Sequence, residues 1–87
     1  MYEVIISEGL YNPMRKLEKK NPKRLMIIRN KISEVVENPH HYKNLRKPMQ
    51  KYKAVHVDTS FVLIFSVDDN EKTVTFVKYE HHDKVYN

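Results

Sequence analysis

The last stretch of the chain, residues 79–87, concentrates side chains that move protons and contact phosphate. It holds two histidines, an aspartate, a lysine and two tyrosines in nine residues. Because it directly follows a run typical of a strand, residues 73–78, we expect a sheet to hold it in place. Histidine suits proton transfer near neutral pH, since its unperturbed pKa is about 6.5. The stretch therefore predicts an acid–base site; the alternative interpretation is a polar tail that caps a sheet.

An RNA phosphodiester is a substrate that such side chains can cleave without a metal. RNA carries its own nucleophile, the 2′-hydroxyl, so a protein must remove that proton, protonate the leaving 5′-oxygen and stabilise the phosphorane. Histidine can perform either proton step, lysine can stabilise the charge, and tyrosine can stack on a base or donate a proton. The candidates are His56, Lys78, His82 and Tyr86. The ordinary alternatives are a half-buried strand histidine at His56 and an aromatic plug of the core at Tyr86.

The histidine pattern does not favour a metal site. The five histidines are His40, His41, His56, His81 and His82. Adjacent histidines on a strand point to opposite faces, and neither His-x-His nor His-x-x-x-His occurs. The chain has no cysteine for a thiolate zinc site, and its single glycine excludes a Gly-rich phosphate loop. We therefore expect neither a metal nor a cofactor.

The net charge of +5 favours an anionic partner, and nucleic acid is the commonest one. Positive charge is concentrated in residues 40–53, the cationic segment, with no acidic residue before His56. We interpret this segment as a loop, with a short strand or an extended pass along a sheet edge, that faces phosphate. The alternative is a solvated connection. Its cationic side chains are those of Lys43, Arg46, Lys47, Lys51 and Lys53.

The elements that must position these residues form one domain, because 87 residues support one small core. Residues 2–6 read as a strand, and residues 22–37 as an amphipathic helix. Before that helix, the sequence offers two starts for a first helix that ends near Lys20. Ser7 is a possible N-cap with Glu8 in the first turn, and Asn12 with Pro13 is a second N-cap and N1 pair, at which the regular helix begins after an irregular first turn. The two helices form a hairpin whose apolar stripe must face a sheet.

Three consecutive strands follow, at residues 54–57, 61–67 and 73–79, and short turns join them into an antiparallel meander. The middle strand is apolar on both faces and is expected to be central. The predicted fold is α+β, in the order β-α-α-β-β-β, with the helix hairpin on a small, mainly antiparallel sheet. No apolar run is long enough to span a membrane, the N-terminus lacks the basic region of a signal peptide, and we expect a cytoplasmic protein.

Three stretches of this chain resemble the RelE/ParE superfamily of toxin–antitoxin toxins, nearest to YafQ-type and archaeal RelE-like mRNA interferases. They are Lys53-Ala54-Val55-His56-Val57, Phe61-Val62-Leu63-Ile64-Phe65 and His82-Asp83-Lys84-Val85-Tyr86. With the order of elements, the resemblance covers essentially the whole chain. It implies a microbial-ribonuclease-like architecture, metal-independent cleavage of mRNA in the ribosomal A site, and neutralisation by a cognate antitoxin.

The resemblance also implies roles by position. His56 matches a strand histidine that follows the basic loop, His82 the C-terminal catalytic histidine, and Tyr86 the aromatic residue four positions later. Lys78 matches a position that is usually arginine. Lys43 matches a position where the YafQ branch has a further histidine, with two histidines of this chain close by in sequence.

This sequence departs from that pattern at several positions. Ser60 stands where the YafQ branch has an acid, which leaves Asp58 as the nearest carboxylate, and Phe61 stands where it has tryptophan. We assign Phe61, with the cationic segment, to RNA contact. No arginine follows Arg46, so the bidentate phosphate clamp of RelE proper is absent, and lysine supplies a point charge instead. The alternative function is a non-catalytic RelE/ParE-fold module, such as a gyrase-type inhibitor or a degenerate toxin.

Overall fold

A computed structural model describes residues 1–86 of the chain. The predicted order of elements is confirmed, with a short helix added at the end. The elements are β1 (Glu3–Ile6), α1 (Glu8–Lys20), α2 (Pro22–Glu37), a 3₁₀ turn (Pro39–His41), β2 (Lys53–His56), β3 (Phe61–Asp68), β4 (Thr73–His81) and α3 (His82–Tyr86). None of these helices is long and apolar enough to cross a membrane.

The four strands form one mixed sheet in the order β1-β4-β3-β2. β2, β3 and β4 are antiparallel neighbours, as the meander predicts, and β1 pairs in parallel with β4. β3 is central, as its apolar character on both faces predicts. The α+β prediction is therefore confirmed, and the sheet is mainly antiparallel.

The two faces of the sheet are covered differently. One face packs against α1 and α2, where Leu10, Ile28 and Phe65 are fully buried; we call it the helix face. The other carries Val62 and Ile64, which are covered by Leu45 of the cationic segment; we call it the segment face. Because side chains alternate along a strand, neighbouring residues of β3 lie on opposite faces and pack against different partners.

β4 contains a bulge at Val77, and this bulge decides which of its side chains reach the segment face. Phe65 pairs with Phe76, whereas the preceding residue Ile64 pairs with Lys78, so Val77 is an extra residue. Phe76 is buried on the helix face, and simple alternation would place Lys78 there as well. The extra residue instead moves Lys78 to the segment face.

Helix α1 begins at Glu8, the earlier of the two predicted starts, and the start at Pro13 is wrong. Ser7 precedes the helix in an extended conformation, but its hydroxyl donates to the Val77 carbonyl at 3.1 Å instead of capping. Pro13 lies inside the helix and lacks the N–H that would reach the carbonyl of Gly9. Complete burial of Leu10 favours the helical first turn despite this missing hydrogen bond.

The bounds predicted for α2 are confirmed. Asn21 caps it by accepting a hydrogen bond from the backbone N–H of Arg24 at 3.1 Å, and Asn38 follows its last residue. The cationic segment contributes a single bridge, between Asn44 and Lys53, next to the edge strand β2. The Leu45 backbone N–H donates to the Tyr52 carbonyl at 2.8 Å, so the segment is a loop that turns back on itself before β2 rather than an extended pass along the sheet edge.

Candidate acid–base site

Three of the four predicted catalytic side chains converge at one end of the sheet. His56 is the last residue of β2, His82 the first residue of α3, and Tyr86 the last. The ring centroids are 5.6 Å apart for His56 and His82, and 4.6 Å apart for His82 and Tyr86. The His56 and Tyr86 rings are nearly parallel, with a 3° angle between their planes and 6.0 Å between centroids. We call His56 and His82 the histidine pair.

Strand register and a short helix explain this convergence. His56 lies opposite Val62, and Val62 lies opposite Glu80, so these three side chains share the segment face. In α3, His82 and Tyr86 are four residues apart and therefore lie on one side of the helix. The site is open to solvent, since His56 and Tyr86 are exposed and the His82 side chain is 41% exposed.

Two hydrogen bonds fix the start of α3. The His82 backbone N–H donates to the Ser60 carbonyl at 2.7 Å, which ties the tail to the turn between β2 and β3. The Asp83 backbone N–H donates to Nδ1 of His81 at 3.1 Å, so the His81 side chain occupies the position of an N-cap. The tail is therefore a strand followed by a capped helical turn.

Lys78 lies on the segment face of the sheet, and its ammonium is paired with a carboxylate. Lys78 Nζ is 3.4 Å from Oε2 of Glu80, and Lys84 Nζ is 3.8 Å from Oε1. Burial raises the pKa of Glu80, but the His81 backbone N–H, which donates at 3.2 Å, and the two lysines lower it by more. Glu80 therefore holds a negative charge between two lysines, close in sequence to His82.

Glu80 was missed by the sequence reasoning. The one sequence signal for Glu80 is its spacing from Lys78, because residues two apart on a strand share a face. This spacing alone does not reveal which face, since the bulge at Val77 sets that.

The cationic segment borders the same face, through Leu45. Four of its predicted RNA-binding side chains belong to exposed residues: Lys43, Arg46, Lys47 and Lys51. Lys53 differs, because its Nζ donates to the Tyr42 carbonyl and to Oδ1 of Asn44, each at 2.9 Å. Lys53 therefore ties the segment to β2.

Phe61 lies on the helix face, away from the histidine pair. Its ring stacks on Tyr79 with 4.9 Å between centroids, meets the edge of His81 at 5.3 Å, and lies 5.4 Å from the Arg24 guanidinium carbon. The ring is half-buried within this cluster. It is therefore packed among side chains of β4 and α2 rather than presented as an open platform.

Asp58 does not take the place of the acid that is missing at Ser60. Its carboxylate pairs with Arg24 of α2 and accepts the backbone N–H groups of Ser60 and Phe61, each at 2.8 Å. The Arg24 guanidinium and these two backbone groups hold the pKa of Asp58 below its usual value. The carboxylate stays ionised and is occupied by structural contacts.

His40 and His41 lie in the 3₁₀ turn after α2. His40 lies beyond the far end of β3, where its Nε2 is 2.8 Å from Oδ1 of Asp69. Asp69 also accepts from the Tyr2 hydroxyl at 2.6 Å. Within residues 1–86, no group of three or more histidine, aspartate or glutamate side chains is arranged to hold a metal ion.

The sequence is 51% identical over 86 residues to a Methanocaldococcus jannaschii protein named "Putative toxin RelE4", a match that covers 99% of this chain and 92% of the relative. This chain belongs to the RelE/ParE toxin superfamily. A Methanosarcina mazei protein that is named only as uncharacterised is 50% identical over 86 residues, with 99% of this chain and all of the relative covered. No family model matches the sequence.

Solved toxin structures share the fold of this RelE/ParE chain at low sequence identity. A YoeB/ParE toxin from Agrobacterium tumefaciens superposes with a TM-score of 0.81 at 10% identity, covering 92% of this chain and 98% of that one. The DinJ–YafQ complex from E. coli gives 0.74 at 15% identity, with both chains fully covered. The RelBE2 toxin–antitoxin complex from Mycobacterium tuberculosis gives 0.76 at 19% identity, with 93% and 98% covered.

Proposed function

We propose that this RelE/ParE toxin cuts mRNA on the ribosome by metal-independent acid–base catalysis. The observation that carries the proposal is the histidine pair: two solvent-accessible imidazoles with ring centroids 5.6 Å apart, on elements that are distant in sequence. General acid–base catalysis needs one group that accepts a proton and one that donates it, on opposite sides of the reacting phosphorus. Two imidazoles this close together can act on the same phosphodiester.

The proposed reaction uses the 2′-hydroxyl of the RNA as the nucleophile. One imidazole removes its proton as the oxygen attacks phosphorus, and the other donates a proton to the 5′-oxygen as the P–O bond breaks. The products are a 2′,3′-cyclic phosphate and a 5′-hydroxyl. The geometry supports either assignment of base and acid to His56 and His82.

Two further side chains complete the proposed machinery. Lys78 stabilises the charge on the phosphorane. For this, the Lys78 ammonium must contact Glu80 and the phosphate together, or leave Glu80 for the phosphate. Tyr86 stacks on a base, for which its exposed ring beside the histidine pair is suited.

The cationic segment supplies phosphate contacts in this proposal. Its exposed cations border the segment face, on which the histidine pair lies, so RNA bound along them passes the site. Phe61 can reach RNA only by the part of its ring that the Tyr79 and Arg24 contacts leave uncovered. We therefore propose a supporting contact there rather than a stacking platform.

We propose two partners in the cytoplasm, the ribosome and a cognate antitoxin. The M. tuberculosis RelBE2 structure is a toxin–antitoxin complex. A net charge of +5 favours an acidic partner. A groove of about 720 Å³ between α1 and α2 suits an amphipathic segment of such a partner. Its lining includes Tyr11, Met14, Leu25, Ile32, Arg15 and Arg29.

The experiment that tests the proposed activity maps mRNA ends. The purified chain is added to ribosomes programmed with a defined mRNA, and new 5′ ends are located by primer extension. We expect cleavage within the A-site codon that depends on the ribosome and stops on addition of the antitoxin. Intact mRNA at toxin concentrations that block translation would contradict the proposal.

One observation favours a second candidate function, a non-catalytic module of the RelE/ParE fold such as a gyrase-type inhibitor. Lys78, the cation predicted to act on the phosphorane, is paired with Glu80, and the sequence has no arginine after Arg46 to replace it. A DNA supercoiling assay with purified gyrase separates the two candidates. Inhibition of gyrase without mRNA cleavage would favour the second.

A further inference from the structure

Residues 57–61, the turn between β2 and β3 together with the first residue of β3, are connected to both members of the histidine pair. His56 directly precedes the turn along the chain, and the Ser60 carbonyl accepts the His82 backbone N–H at 2.7 Å. A shift of this turn therefore moves one histidine through the covalent chain and the other through a hydrogen bond. These five residues therefore connect the two histidines.

Asp58 holds this turn in shape from within. Its Oδ1 accepts the backbone N–H groups of Ser60 and Phe61, each at 2.8 Å, as aspartate does in tight turns. The Val57 backbone N–H donates to the Phe61 carbonyl at 2.9 Å, which closes the turn. The other carboxylate oxygen, Oδ2, is left for a contact outside the turn.

That outside contact is Arg24, in the first turns of α2. Its guanidinium pairs with Oδ2 of Asp58 and lies over the Phe61 ring, and the two ionic side chains are only 25% and 32% exposed. Phe61 in turn stacks on Tyr79 of β4. The turn is thereby attached to α2 on the helix face, while the histidine pair lies at the segment face.

We propose that Arg24 and Asp58 are positioning residues of the acid–base site, which hold the 57–61 turn so that His56 and His82 stay close enough to act on the same phosphodiester. The inference rests on the proposed function. Neither side chain touches RNA in this account: Arg24 acts through Asp58, and Asp58 acts through Ser60 on His82. Both therefore affect the rate of the chemical step rather than the affinity for the ribosome.

The first arm of the test measures cleavage with graded variants. Asp58→Ala removes the acceptor for the turn and the ion pair, Asp58→Asn keeps an acceptor for the backbone groups, and Arg24→Lys keeps the charge. Because a misplacement of about 1 Å can cost about 10²-fold in rate, we expect Asp58→Ala to approach that loss in single-turnover cleavage at saturating ribosomes. Asp58→Asn should lose less, and Arg24→Lys should recover most of the activity that Arg24→Met removes.

Glu34→Gln is the matched control. It removes another ion pair of α2, between Lys31 and Glu34 at 3.1 Å, which has no contact with the turn. We expect its cleavage rate and ribosome affinity to equal those of the unmodified chain. Thermal unfolding of every variant provides the fraction folded, and rates are compared per folded molecule.

The second arm needs no activity. In NMR spectra of the antitoxin-free chain, cross-relaxation between the rings of His56, His82 and Tyr86 reports their proximity. We expect these signals to weaken in Asp58→Ala and Arg24→Met, persist in Glu34→Gln, and return in Arg24→Lys. If Asp58→Ala does not fold, Arg24→Met and Asp58→Asn carry both arms.

The two arms separate this inference from the proposed function. If the unmodified chain cuts no mRNA but the ring signals weaken in the variants, the proposed function fails and the positioning role stands. If Arg24→Met keeps both the ring signals and the cleavage rate per folded molecule, the positioning role is wrong. The same conclusion follows if the variants lose activity only in proportion to the unfolded fraction.

Discussion

Separate substitutions of His81 and His82 test whether the tail does chemistry or only closes the sheet. The two residues are neighbours, but His81 lies on the helix face against Phe61, whereas His82 contacts His56 and Tyr86. His82→Gln removes an acid–base group and keeps the backbone hydrogen bond to Ser60. We expect a loss of about 10²–10⁴-fold in cleavage, the range for one such group.

His81 has a structural contribution of its own, which sets the size of its effect. His81→Ala removes the acceptor for the Asp83 backbone N–H, and loss of an N-cap costs about 1 kcal/mol. For a helix of five residues, that cost lowers the equilibrium constant for ordering α3 by about five-fold. Asparagine accepts the same hydrogen bond, so His81→Asn should stay near the unmodified rate.

The assay is single-turnover cleavage of ribosome-bound mRNA, with thermal unfolding as a check on the fold. Neither His81 variant keeps the edge-on packing against Phe61, so the difference between them isolates the cap. The expected order of rates is His81→Asn, then His81→Ala, then His82→Gln by a wide margin. Equal losses in His81→Asn and His82→Gln, or full activity of His82→Gln, would refute the catalytic assignment.

Three further predictions follow from the geometry. The double variant Lys47→Gln with Lys51→Gln should weaken the salt dependence of ribosome binding. In a salt titration, the slope of log affinity against log salt should fall by about 0.7 for each single-strand phosphate that is no longer bound. An unchanged slope would show that neither lysine contacts RNA. Lys53→Gln should instead lower the free energy of unfolding by about 1.5–3 kcal/mol in urea, because it removes two charge-assisted hydrogen bonds. The pKa of Asp58 in the folded state lies below its usual value. The ionised carboxylate therefore stabilises the fold above about pH 4, which is near its pKa in the unfolded chain. This stabilisation is lost as the pH falls through the folded-state pKa. The thermal midpoint of Asp58→Asn should therefore lie below that of the unmodified chain at pH 7 and approach it in acid; an equal difference at both pH values contradicts this.

The order of elements could be predicted because each carries a local signal. Asn21 and Pro22 mark the start of α2, and Asn38 and Pro39 mark its end, so both bounds are confirmed. A meander of three strands with short turns brings the end of β2 close to the end of β4. This is why residues as distant in sequence as His56 and His82 could be expected to meet.

The features that the sequence did not reveal depend on tertiary contacts. The sequence offers two starts for α1, and burial of Leu10 selects Glu8 over the local Asn-Pro signal. The short helix α3 follows from a histidine side chain that acts as a cap, which is uncommon. The bulge at Val77 has no local signature, yet it determines the face on which Lys78 and Glu80 lie.

The role of Phe61 shows the same limit. An aromatic residue next to a predicted site is compatible with base stacking, and its position in sequence favoured that interpretation. Only the structure reveals that Tyr79, His81 and Arg24 surround the ring. Likewise, the sequence leaves Asp58 available to the site, whereas in the fold its carboxylate is paired with Arg24.

The central claim is that the histidine pair activates the 2′-hydroxyl of mRNA. The measurement that tests it most directly uses an mRNA with a single 2′-deoxynucleotide at the mapped cleavage position, bound to the ribosome in the same register. We expect the unmodified message to be cut, with 2′,3′-cyclic phosphate and 5′-hydroxyl ends, and the substituted message to stay intact at that position. Cleavage at the deoxynucleotide, or 5′-phosphate ends on the unmodified message, would contradict the account.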